Sequence, residues 1–248
     1  MHPETARWIA ETLGGLAAAG LAAGGCAYAA LWPESQIFGS TLISPERPGE
    51  LALTFDDGPN PAWTPQLIDI LARHRVKATF FLVGKYAEAE PYLTRHIAEL
   101  GHVIGNHSWS HPNLAFTSPG RVRDELLRTK HLLEEITGTA VRFFRPPYGA
   151  RRPDVLLAAR DLGMNPVLWN AMTTDWKEPS AERIVDRLSA KVDALGRRGA
   201  SATVVLHDGG HLDAGADRQP SVVATDRLIQ RYMGVRRFVT ADYLRWGS

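Results

Sequence analysis

Thr54-Phe55-Asp56-Asp57-Gly58-Pro59 sets two carboxylates side by side at the point where an apolar run ends. Adjacent acids in one turn add little to stability, and as chemistry they offer a metal ligand, a general base, or both. Further along, His107-Ser108-Trp109-Ser110-His111 places two imidazoles at an i, i+4 spacing. In helical or near-helical geometry that spacing projects both rings from one side and lets them share one ion. Two histidines and one carboxylate form a ligand set for zinc or non-haem iron that leaves positions open for water and substrate. Arg145-Pro146-Pro147-Tyr148-Gly149 adds a cation on a turn stiffened by prolines, useful beside a carboxylate. Leu206-His207-Asp208-Gly209 supplies another imidazole, and Asp175-Trp176 an acid to orient His207 together with an apolar wall. The single cysteine, Cys26, lies in an apolar N-terminal stretch, so the rest of the chain has neither disulfides nor thiolate ligands. A metal must be held by His, Asp or Glu.

Each of these groups follows a short apolar run. Leu51, Leu53 and Phe55 alternate with Ala52 and Thr54 as in a strand, and Gly58-Pro59 turns the chain directly after the acids. Strands are predicted over 51–55, 78–83, 103–105, 141–144, 166–169 and 203–206, with a last short one at 238–239. Helices are predicted between them over 65–74, 91–100, 119–137, 153–162, 181–195 and 222–233; Leu126, Lys130, Leu133 and Thr137, with Val122 and Ile136 nearby, mark the buried stripe of the longest. About seven β/α units suit a barrel better than a flat sheet, and strand C-terminal ends are where such folds collect catalytic groups.

A chain of 248 residues with a formal net charge of +1 buries one substantial core, and its scattered basic residues give no stripe for nucleic acid. From Thr12 to Trp32 there is no charge, enough residues at about 1.5 Å each to cross a layer of about 30 Å. This reads as a membrane anchor, favoured by the small-xxx-small spacing of Gly20 and Gly24, or as a signal peptide cleaved near Ala27-Tyr28-Ala29. Arg7 precedes the segment, which by the positive-inside rule puts the bulk of the chain outside the cytoplasm, anchored or secreted. The expected organisation is therefore anchor or signal over 1–33, a linker over 34–48 ending in Pro45, Pro48 and Gly49, and a catalytic domain over 49–248.

The five segments TFDDGP, HSWSH, RPPYG, DW and LHD, in this order from about Gly49 to the chain's end, resemble the motifs of the polysaccharide deacetylase family, the NodB-homology domain of carbohydrate esterase family four. The resemblance implies a distorted (β/α)7 barrel, a divalent metal that is usually zinc, and hydrolysis of an N-acetyl, or occasionally O-acetyl, group on a sugar polymer. By that pattern Asp57, His107 and His111 hold the metal while Asp56 serves as general base on the attacking water. Arg145 would neutralise and orient Asp56, and the Tyr148 backbone N–H would help to stabilise the tetrahedral oxyanion. His207, paired with Asp175, would protonate the leaving amine. Tyr148, Trp176 and Leu206 would form the pocket for the acetyl methyl. The chemistry is consistent, since an amide carbonyl is a poor electrophile that a Lewis acid activates. The implied substrate is an N-acetylglucosamine-containing glycan of peptidoglycan or chitin type. An esterase removing O-acetyl groups from xylan or cell-wall sugars would use the same groups. Met172 stands where the family often has an acid, a departure that a non-catalytic glycan-binding domain would also accommodate.

Overall fold

The computed structural model describes residues 24–247. Most of the apolar stretch expected to form an N-terminal helix thus lies outside the described residues; its last part, 24–31, is helical (α1). No helix among the described residues is long and apolar enough to cross a membrane.

The fold is built around β2 (Glu50–Gly58), a strand buried along its whole length. It runs parallel to β3 (Thr79–Leu82) on one side and β8 (Ala202–His207) on the other, with β9 (Arg237–Val239) joining near its start. Beyond β3 come β4 (Val103–Asn106), β5 (Phe143–Phe144) and β6 (Asn165–Pro166); beyond β8 comes β7 (Ala171–Met172). The sheet order is β6-β5-β4-β3-β2-β8-β7. The outermost strands β6 and β7 are successive in the chain but do not pair, so this α/β fold is a curled parallel sheet that stays open where a barrel would close. Strands covered by helices on one face and packed side chains on the other explain why β2 reads as a nearly continuous apolar run.

The helices are α2 (Thr64–Arg73), α3 (Gly84–Ala89), α4 (Pro91–Glu99), α5 (Pro119–Thr137), α6 (Pro153–Asp161), α7 (Ala181–Arg197) and α8 (Gln219–Tyr232). Proline stands in the first turn of α2, α4, α5, α6 and α8, where its missing N–H costs nothing and its fixed φ suits the helix. The core lies between these helices and the sheet and includes Leu53, Phe55, Leu67, Leu71, Phe80, Leu82, Leu126 and Leu228. Burying each such side chain contributes about 1.5–3 kcal/mol.

Part of the stretch read as linker is packed on the domain. β1 (Leu42–Pro45) pairs antiparallel with β10 (Leu244–Trp246), and both Leu42 and Ile43 are buried. Upstream, the wholly buried Arg151 donates from Nη2 to the carbonyls of Trp32 (2.7 Å) and Ser35 (2.7 Å), and from Nη1 to those of Ala30 (3.3 Å) and Gly149 (3.0 Å). These acceptors include carbonyls that the end of α1 leaves without intrahelical partners. Burial pulls the Arg151 guanidinium down to about 10, so it stays charged at neutral pH.

Candidate active site

The two adjacent acids part company because β2 carries a bulge. Against β3 the register runs Thr54 with Thr79, Phe55 with Phe80 and Asp56 with Phe81, then passes to Gly58 with Leu82. Asp57 is the extra residue, in left-handed backbone at φ 71. A bulge re-aims the side chain it carries. Asp56 keeps strand geometry, and its Oδ1 accepts from Arg145 Nη1 at 2.7 Å. The same Nη1 lies 2.7 Å from Thr54 Oγ1, and the guanidinium sits 4.1 Å over the Phe81 ring. Arg145 is completely buried; burial lowers its pKa, and the Asp56 carboxylate works against that.

Asp57 faces the two histidines instead. Its Oδ1 is 3.4 Å from His107 Nε2 and 3.1 Å from His111 Nε2. The two histidines converge without a helix. They lie in the loop after β4, where Ser108 (φ 64) and His111 (φ 59) take left-handed backbone. Polar bonds hold that loop: Ser108 N–H donates to Asn106 Oδ1 at 2.8 Å, and the Trp109 and Ser110 N–H groups donate to Glu125 Oε2 at 2.9 and 2.8 Å. The i, i+4 pair converges through two tight backbone turns, and the rings meet with centroids 4.9 Å apart.

The chemistry of the cluster calls for a cation. His107 Nδ1 lies 2.7 Å from the Arg145 carbonyl, which can only accept, so Nδ1 carries a proton and Nε2, facing Asp57, is the atom free to serve as a ligand. Asp57 Oδ1 and His111 Nδ1 are buried without a hydrogen-bond partner. One ligand atom from each of Asp57, His107 and His111 lies within 4.8 Å of the other two. Ligands about 2.0–2.2 Å from a tetrahedral ion stand roughly 3.3–3.6 Å apart, close to the separations here. Burial opposes ionisation of Asp57, but the two imidazoles outweigh it and hold the carboxyl well below the ordinary range. Burial likewise pushes His111 down, towards the neutral form that a ligand must have, against the pull of Asp57. The residues fit a divalent metal.

A second acid–base pair lies at the end of β8. Asp175 Oδ1 is 2.9 Å from His207 Nδ1, and its Oδ2 accepts from the His207 N–H at 2.8 Å and the Ser221 hydroxyl at 2.7 Å. Burial of the ring disfavours its charge, but Asp175, with help from Asp57 and Asp56, lifts His207 to about 9. Trp176 stands edge-on to it at 4.8 Å. The register places Asp56 opposite His207, and the loop following β8 passes so close that a Cβ on Gly209 would collide with the Asp57 carbonyl.

Asp56, Asp57, His107, His111, Tyr148, Trp176 and His207 line one cavity of about 300 Å³. Arg145 and Asp175 stand behind it, each holding a lining residue. Leu206 is the exception: it is wholly buried in the main core, and Val205 lines the cavity. Strand alternation is the reason, since Val205 and His207 share one face of β8 and Leu206 takes the other. Tyr148, at φ 60, presents its ring edge to His111 at 4.7 Å. Met172, already singled out for standing where the family often has an acid, also lines the cavity, as do Trp169, His211 and Arg218, to which the sequence assigned no place in it. Trp169 and Met172 pack together with Leu168 and Val205 into one apolar side of it. His211 and Arg218 sit on an irregular loop that no periodicity marks.

The profile of the family described as polysaccharide deacetylase matches residues 44–167. A peptidoglycan-N-acetylglucosamine deacetylase of Bacillus cereus is 39% identical over 212 residues, covering 84% of this chain and 72% of its own. A chitooligosaccharide deacetylase of Sinorhizobium fredii is 39% identical over 183 residues, covering 71% of this chain and 82% of its own. The crystal structure of a peptidoglycan N-acetylglucosamine deacetylase in complex with 4-naphthalen-1-yl-N-oxidanyl-benzamide superposes with a TM-score of 0.71 at 39% identity, covering 80% of this chain and 89% of the other. Sequence likeness at this level runs through most of the chain, over the same curled sheet that gathers the acids and imidazoles on one rim, and the chain belongs to the polysaccharide deacetylase family.

Proposed function

We propose that this chain hydrolyses the N-acetyl group of N-acetylglucosamine residues in a glycan of peptidoglycan or chitin type. The observation that carries the reading is the meeting, in one cavity, of three converging metal-ligand atoms with two separately oriented acid–base groups. Asp57, His107 and His111 would hold the metal, and a histidine-rich set with one carboxylate suits zinc. When bound, such an ion supplies Lewis acidity to the acetyl carbonyl and to the attacking water.

The chain's own groups divide the proton traffic. Asp56 has one oxygen committed to Arg145, which leaves Oδ2 to take a proton from the attacking water. His207 has Nδ1 committed to Asp175, which leaves Nε2 to deliver a proton to the departing nitrogen. A pKa of about 9 keeps this imidazole charged at neutral pH, the form an acid needs. Trp176, Trp169 and Met172 give the cavity an apolar wall that accommodates a methyl group. We assign residues 49–248 to the catalytic domain, joined by β1 from the preceding 34–48 stretch, and residues 1–33 to an anchor or signal. The uncharged stretch from Thr12 to Trp32 supports a location outside the cytoplasm.

The test is acetate release by the full chain, loaded with zinc, from chitooligosaccharides, peptidoglycan and acetylated xylan in parallel, with Asp57→Ala as control. Release from one of the amino-sugar substrates, abolished in the variant, is expected. Release from xylan alone would refute amide hydrolysis, and no release from metal-replete protein would refute hydrolysis altogether.

A further inference from the structure

We propose that His211 is a positioning residue for the metal centre, its imidazole clamping the ring of His111. The inference rests on reading Asp57, His107 and His111 as a metal site. The two histidines of that site are held in different ways. His107 is fixed by the bond from Nδ1 to the Arg145 carbonyl at 2.7 Å. His111 Nδ1 is buried with no hydrogen-bond partner, so no polar contact there sets the angle of its ring. A ligating imidazole ordinarily relies on such a contact for its orientation.

Two other rings take over that task. Tyr148 meets His111 edge-on at 4.7 Å and 72°, while His211 stacks on it at 4.8 Å and 26°. Tyr148 and His211 also touch each other, centroids 5.5 Å apart, so the three rings form one cluster. Stacked and edge-on arrangements at these distances are attractive and directional. On its other side His211 Nδ1 stands 3.9 Å from Asp57 Oδ2. One side chain therefore borders two of the three ligand residues.

His211 is itself well held, although its side chain is about one-third exposed, at 35%. The Tyr86 hydroxyl shares its one proton between the carbonyls of Gly210 (3.1 Å) and His211 (3.0 Å), and Lys85 Nζ reaches the His211 carbonyl at 3.3 Å. Arg218 Nε donates to the Gly209 carbonyl at 2.7 Å, and Asn60 Nδ2 to the Ala216 carbonyl at 3.0 Å. The loop is tied down on both sides of the ring, which is what a clamp requires.

The test compares His211→Ala, His211→Asn and His211→Phe in the full chain. Zinc affinity is read by chelator competition, and ligand geometry by the visible spectrum of the cobalt-substituted protein. Removing a residue that orients a ligand typically costs about 10–100-fold in metal affinity. The Ala and Asn variants should lose about tenfold or more and alter the cobalt spectrum, whereas Phe, which keeps the stack without the nitrogen, should stay within about threefold. Zinc affinity in the Ala and Asn variants within twofold of the unmodified protein, with an unchanged cobalt spectrum, would overturn the proposal. So would a Phe variant as weak as Ala. Matching unfolding midpoints of the metal-free proteins separate a site effect from a folding effect. Absence of stoichiometric zinc in the unmodified protein would instead overturn the metal reading, and it is measured without any variant.

Discussion

Replacing Asp175 with Asn should move the alkaline limit of activity and leave the acid side nearly untouched. The carboxylate makes three contacts: Oδ1 with His207 Nδ1 at 2.9 Å, and Oδ2 with the His207 N–H at 2.8 Å and Ser221 at 2.7 Å. A carboxamide of the same shape can keep an acceptor for the latter two but carries no charge to hold the imidazolium. Burial of the His207 ring is then opposed only by the more distant Asp57 and Asp56, and its pKa falls from about 9 to near its ordinary value of about 6.5. The sign follows directly: His207 works in its protonated form, so activity is lost as pH rises through its pKa. At pH 8 the protonated fraction drops from about nine-tenths to about 3%, roughly a thirtyfold loss; at pH 6 the loss stays below about twofold. The assay is kcat/KM for acetate release between pH 5.5 and 9.5 (about the range that spans both values), with both proteins loaded with the same metal. An equal loss at pH 6 and pH 8, with the alkaline limb unmoved, would refute the claim that Asp175 acts by keeping His207 charged.

Asp56→Asn should retain stoichiometric zinc by elemental analysis while losing about 10²–10⁴ in turnover; acetate release near the original rate would remove Asp56 as the base. Arg145→Met leaves the Asp56 carboxylate buried without its partner and should destabilise the fold by about 3–5 kcal/mol in urea unfolding. The same variant should keep its metal, because His107 is oriented by the backbone carbonyl of residue 145 and not by the guanidinium; an unchanged unfolding midpoint or a lost metal would contradict this division of labour.

The elements with a strong local signal were legible. The helices predicted from Pro65, Pro91, Pro119 and Pro153 begin within one residue of those positions, and α5 occupies the same Pro119–Thr137 range that its apolar stripe predicts. The run Leu51 to Phe55 gave the central strand, though not its continuation through Asp57 to Gly58, because the pairing of β2 with its neighbours carries the strand past the last apolar residue. The pairing of β1 with β10 joins residues some two hundred positions apart, Leu42 with Trp246, and leaves no periodicity to read. At the site, residue types and their placement at strand ends were enough to find the acids and histidines. Which acid faces the histidines was not, since it depends on a bulge and on φ 71 at Asp57, a backbone choice the side chain does not advertise. The convergence of His107 and His111, which their spacing allows in helical or near-helical geometry, is reached through left-handed backbone at Ser108 (φ 64) and His111 (φ 59), equally invisible in the residue types. His211 was missed because its role depends on a loop held by Tyr86, Asn60 and Arg218, contacts that exist only after folding.

A chain that leads into an enzyme domain often behaves as a slack tether, its end wandering over a distance that grows with the square root of its length. Arg151 removes that slack. Just two positions beyond Gly149, it grips the carbonyls of residues 30, 32 and 35, so the polypeptide departs from the domain at a set point and a set heading beside the catalytic rim. The joint works as a stiff wrist. The segment from Ala30 to Ser35 thus belongs to the domain's own packing and runs along one line beside the rim. Cutting the chain at Ser44 would strip the Arg151 guanidinium of the acceptors at Ala30, Trp32 and Ser35 and take Leu42 from its place beside β10, so the segment is a buttress of the catalytic rim as much as a lead-in to it.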